Sequence, residues 1–65
     1  MNVQFDPEAD ALYVTVSRAE IVRTEEVKPG IILDYDRNGE VVGIEMLYVA
    51  RRARAAAKSA EPVAS

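Results

Sequence analysis

Asp34, Asp36 and Asn38 alternate along one short stretch, Gly39 follows at once, and Glu45 stands where a closing carboxylate would fall. This is the donor spacing of an EF-hand calcium loop, in which side-chain oxygens and a bidentate glutamate surround the ion while glycine makes the sharp turn. Val41 occupies the usual apolar place. The flanks favour another structure. Such a loop needs an entering helix, whereas Lys28-Pro29-Gly30 reads as a turn and Ile31-Ile32-Leu33 as a strand. The favoured reading is a tight hairpin with an acidic mouth and no metal; Asp34, Asp36, Asn38 and Glu45 stand as the calcium-loop alternative. Asp6, Glu8 and Asp10 alternate as well, but Pro7 restricts the backbone, Ala11 replaces the needed glycine and Ser17 the closing glutamate. A turn with a capping carboxylate is expected there.

Nucleophilic catalysis has little to work with. The 65 residues contain no cysteine and no histidine, which excludes a disulfide framework, zinc-finger and haem sites, and the usual nucleophile–imidazole pair. Carboxylates could act as acid and base only if desolvation raised one pKa, and every candidate lies near a turn, where water is expected. No catalytic residue and no cofactor is therefore assigned, and an enzyme is not expected. Arg51, Arg52, Arg54 and Lys58 form a basic ridge that could contact phosphate, but no aromatic residues interleave with them and the net charge is −3. A solvated helix face, or a partner for the acidic sheet of a second copy, is the preferred reading.

Charge divides the chain. All but one of the eleven acidic residues precede residue 48, while Arg51, Arg52, Arg54 and Lys58, half of the eight cations, follow it. The acidic part reads as strands. Val3 and Phe5 alternate with Asn2 and Gln4; Leu12, Val14 and Val16 alternate with Tyr13, Thr15 and Ser17. Residues 21–27 are more polar and predict an edge strand. Pro29-Gly30 marks a turn, Ile31, Leu33 and Tyr35 begin another alternation, and Asp36-Arg37-Asn38-Gly39 signals a hairpin into Val42, Ile44 and Met46. Leu12, Val14, Val16, Leu33, Val42 and Ile44 are the expected core. From Tyr48 the period becomes helical, Ala and Arg dominate, and Pro62 ends the run. Val49, Ala53, Ala56, Ala57 and Ala60 share one side of that helix, with Arg51, Arg54 and Lys58 opposite.

The stretches Phe5-Asp-Pro-Glu-Ala-Asp-Ala-Leu-Tyr-Val14, Thr24-Glu-Glu-Val27, Pro29-Gly30, Ile32-Leu-Asp-Tyr-Asp36, Gly39 and Val41-Val-Gly-Ile-Glu45 recur in one order. Together they resemble the small bacterial proteins grouped as Domain of Unknown Function family 2283, over residues 3–49. The resemblance implies a compact, mostly antiparallel β protein with a helical C-terminus. It implies no established activity and supplies no functional residues. Some members lie beside genes resembling small toxins, which implies an antitoxin-like alternative.

The expected architecture is α+β: a small curved, mostly antiparallel sheet of four to five strands, meander-like, with one C-terminal helix. Residues 1–60 form the domain and 61–65 a flexible tail. A chain this short buries only about 60% of its unfolded surface, so a homo-oligomer is expected, working by protein–protein contact. An unidentified protein partner is also entertained, nucleic acid is less favoured, and no membrane segment is recognised, which favours the cytoplasm. Arg51, Arg52, Arg54, Lys58, Glu25 and Glu26 are the expected partner-binding residues. The alternative function is an antitoxin-like or regulatory protein contacting nucleic acid through the basic helix.

Overall fold

A computed structural model describes residues 1–59. The order of elements is β1 (Asn2–Asp6), β2 (Ala11–Thr15), β3 (Arg23–Lys28), β4 (Ile31–Tyr35), β5 (Val41–Leu47) and α1 (Val49–Ser59). All strand pairs are antiparallel, and the single sheet runs β1-β2-β5-β4-β3. The α+β architecture is the expected one. Its meander is interrupted once, between β2 and β3. There residues 16–22 carry the chain past the β4–β5 turn to the far edge, so that β5, and not β3, pairs with β2. Val22 N donates to Tyr35 O at 2.9 Å on the way. Ala60, the helix stop at Pro62 and the tail expected at 61–65 lie outside the described residues.

Turn chemistry fixes the hairpins. Asp6 Oδ1 accepts from Glu8 N at 3.0 Å and Ala9 N at 3.3 Å, the capping carboxylate expected after β1. Gly30 closes the β3–β4 turn at φ 77°, a conformation that costs glycine nothing and other residues something. Asp36 Oδ1 accepts from Asn38 N and Glu40 N, at 2.8 and 2.9 Å, so this carboxylate is spent on holding the β4–β5 turn.

The register sorts the side chains onto two faces, because successive residues of a strand point to opposite sides. One face carries two cross-strand rows: Phe5–Leu12–Met46–Ile31 and Val3–Val14–Ile44–Leu33–Glu25. The other carries Gln4–Tyr13–Glu45–Ile32–Glu26 and Asn2–Thr15–Gly43–Asp34–Thr24. Hydrophobic side chains dominate the first face, and polar ones the second.

Burial is sparse. Val42, 3% exposed, is the one buried hydrophobic side chain among the described residues, and Leu12, Val14, Leu33 and Ile44 are only half-buried. Val16 leaves the expected core and is 45% exposed. The β2–β5 pairing ends at Thr15, and Val16 N and Ser17 N both turn onto Val42 O, so the alternation stops one residue early. The outer strands β1 and β3 are exposed throughout.

The helix is anchored at its first turn. Asp10 O accepts from Val49 N at 3.0 Å, and the Asp10 carboxylate accepts from Ala50 N at 2.9 Å, a helix cap supplied from forty residues away. Asp10 and Tyr48 both hold positive φ, 54° and 59°. Arg52 Nε donates to Leu47 O at 2.7 Å, and its Nη2 donates to Pro29 O. Beyond that turn, Ala53 to Lys58 are all exposed. The Cα radius of gyration, 14.1 Å, exceeds the roughly 11 Å of a compact chain of this length.

An 11-residue helix is marginal without packing, so the remote cap must matter. Asp10→Ala removes the acceptor and strains the left-handed backbone, and it should reduce the far-ultraviolet helix signal at a cost of about 1–2 kcal/mol. Asp10→Asn should retain most of that signal. Equal helix content in Asp10→Ala and the wild type would contradict the capping role.

Candidate interaction surface and polar cluster

On the polar face, three strands are joined over a fourth. Tyr13 of β2 donates its hydroxyl to Asp34 Oδ2 of β4 at 2.6 Å, and Thr24 of β3 donates to Asp34 Oδ1 at 2.7 Å. The strand between Tyr13 and Asp34 is β5, and the residue beneath their bond is Gly43. A Cβ there would lie 2.6 Å from the Tyr13 oxygen and 2.9 Å from Asp34 Oδ2. Glycine is required at this point because the hydrogen bond occupies the space of its side chain.

Asp34 is 8% exposed and both its oxygens are satisfied by hydroxyl donors, as a buried carboxylate requires. The hydrogen bond to Asp34 raises the Tyr13 phenol above 10.0, and burial and the negative charges of Asp34 and Glu45 push the same way. A phenol held protonated is a donor, which suits a cross-strand tie. Sequence alternation places Tyr13 and Asp34 on the polar phase of their strands but not side by side. Finding the cluster needs the β2–β5–β4 order, which sequence reading did not supply.

The calcium-loop residues separate in the fold. Asp34 is committed to Tyr13 and Thr24, Asp36 to the turn, and Glu45 pairs across to Tyr13 and Ile32 in mid-strand. Asn38 lies in the turn itself. Among the described residues no three acidic side chains converge as metal ligands would. The hairpin expected in place of the loop is present.

The expected partner-binding residues also divide. Arg51, Arg54 and Lys58 are exposed, with the Arg51 guanidinium 5.1 Å from the centre of the Tyr48 ring. Arg52 is instead held by two backbone carbonyls of its own chain, and its guanidinium fills the space a Gly30 side chain would take. Glu26 Oε2 accepts from Gly30 N at 3.1 Å on the polar face. Glu25 lies on the apolar face at its β3 border, 3.2 Å from Arg23, whose guanidinium also stacks over the Tyr35 ring at 4.3 Å. Of the six, Glu25 alone borders the apolar rows. Two exposed residues of that face, Val3 (61% exposed) and Phe5 (50%), show only strand alternation in the sequence, which does not mark them as candidates for contact.

Residues 2–49, the whole sheet and the first residue of α1, match the family described as protein of unknown function, DUF2283, and the chain belongs to that family. Comparison with curated proteins and with solved structures finds no significant match. Among the described residues no helix is long and apolar enough to cross a membrane.

Tyr13→Phe should cost about 1.5–3 kcal/mol, the value of a hydrogen bond to a charged group. Gly43→Ala should cost at least as much, and less in the Tyr13→Phe background, because the displaced hydroxyl is then already gone. Additive effects in a denaturation cycle would contradict the shared site. The raised phenol pKa also sets a pH dependence. Above 10.0 the folded state retains a proton that the unfolded state has lost. Stability from this group is therefore fully present below 10.0 and falls as pH rises through the folded value. Tyr13→Phe should flatten that alkaline decline. Millimolar Ca²⁺ should leave the unfolding midpoint unchanged; saturable binding abolished by Glu45→Gln would restore the metal reading.

Proposed function

We propose that this chain is a homo-oligomeric interaction module that acts by contact and not by catalysis. One observation carries the reading: a sheet with a largely apolar face buries a single hydrophobic side chain, Val42, among the described residues. Domains are built from at least two packed layers, and here the helix supplies no second layer, since Ala53 to Lys58 are exposed. Charge supports a second copy as the missing layer's source. Arg54 and Lys58 have no acidic partner among the described residues, and neither do Glu8, Glu40 and Glu45 a basic one. Arg51 and Arg54 of one copy reaching Glu25 of another would set orientation, while exposed pairs of this kind add little affinity.

Light scattering after size exclusion at micromolar concentration tests this. The expected mass is at least twice 7.2 kDa, with only a modest loss of assembly in added salt. A mass near 7.2 kDa would contradict it. The second reading, an antitoxin-like or regulatory protein on nucleic acid, is favoured by the exposed Arg51, Arg54 and Lys58. A strongly salt-dependent gel shift, lost on reversing Arg54 and Lys58, would select it instead.

A further inference from the structure

We propose that the apolar face of the sheet is the surface on which a second copy packs, the same face of each chain against the other. The proposal rests on the self-association reading and names its surface. Three kinds of site compete for that role: the sheet face, the basic helix and the open edge of β1.

The face has the anatomy of an interface. Its centre is the pair of rows from Val3 and Phe5 through Leu12, Val14, Ile44 and Met46, with no charged group among them. Its border at β3 is the Arg23–Glu25 pair. An apolar centre with a charged rim is the usual arrangement of stable contacts. The two most exposed side chains of these rows, Val3 and Phe5, stand on the outermost strand, where no described part of the chain covers them.

Area favours a partner of this size. The chain exposes 5246 Å², against about 4,100 Å² for a folded monomer of 7.2 kDa. The excess, roughly 1,100 Å², is large enough to accommodate the about 800 Å² that each partner buries in a standard interface. A patch that is apolar over both rows is complementary to itself, which is the condition for a two-fold contact. The helix is the weaker candidate because its exposed turns carry alanine and like charge, and the family match stops at its first residue. The β1 edge alone would leave both rows open to water.

Full-length variants distinguish these surfaces. Phe5→Glu puts a charge into one of the apolar rows, whereas Gln4→Glu puts one on the opposite face of the same strand. Phe5→Glu should reduce the mass to 7.2 kDa and Gln4→Glu should leave the assembly intact. A second measurement does not depend on tolerance of the charge. The chain has no cysteine, so Val3→Cys and Gln4→Cys each give a single thiol for alkylation. At high chain concentration the thiol at position 3 should react slowly and recover its rate on dilution, while that at position 4 should react quickly throughout. An assembly whose mass survives Phe5→Glu, or whose position-3 thiol reacts as fast as that at position 4, would place the interface elsewhere and leave self-association standing. A monomeric wild type would overturn both.

Discussion

A β-sheet hides its apolar side chains only against a second layer, and among the described residues none is laid over the face that needs it. Five strands and one helix could form two layers, with the helix laid across the sheet. Here the helix is pinned by its first turn, through Asp10 and Arg52, and then runs free of the strands. The half-burial of Leu12, Val14 and Ile44, the exposure of Val3 and Phe5 and the large radius of gyration all follow from that one missing layer.

The opposite face explains how so thin a structure holds its register. A slip of one residue in a strand turns its side chains to the opposite face, and in β2, β3 or β4 it parts Asp34 from a donor. The Tyr13–Asp34–Thr24 cluster joins β2, β4 and β3 across β5, and only the correct register puts Gly43 beneath it. One carboxylate thereby does for the sheet what a packed core does in a larger domain: it makes a single alignment of strands favourable. The cluster belongs to the scaffold: Tyr13 and Thr24 both spend their hydroxyls on Asp34.

Much of this was legible in the sequence because strand periodicity is local. The alternation of Val3 with Phe5, Leu12 with Val14 and Ile44 with Met46 gave the apolar face, and Pro29-Gly30 and Asp36 to Gly39 gave two turns. What failed to appear depends on which strands become neighbours. Pairing of β2 with β5 is a long-range choice, so nothing local marks Gly43 as the floor of a cluster or separates Asp34 from the calcium-loop pattern. Asp10 as a helix cap is hidden for the same reason. Arg52 was legible in part: it follows Val49 by three residues and so lies on Val49's side of the helix, away from Arg51, Arg54 and Lys58. Grouping it with the ridge treated a residue type as a surface. Conversely, the solvent exposure of Val3 and Phe5 cannot be seen in a pattern that assigns apolar residues to an interior.

Association that supplies the missing layer must also supply stability, since whatever binds only the folded chain shifts the unfolding equilibrium by mass action. The most direct measurement is therefore the urea midpoint of the wild-type chain over a wide range of chain concentration. A midpoint that climbs steadily with concentration is the predicted result, because folding and covering of the apolar face are then one process. A midpoint that stays fixed across that range would contradict it, and would mean that a sheet with one buried hydrophobic side chain stands on its own.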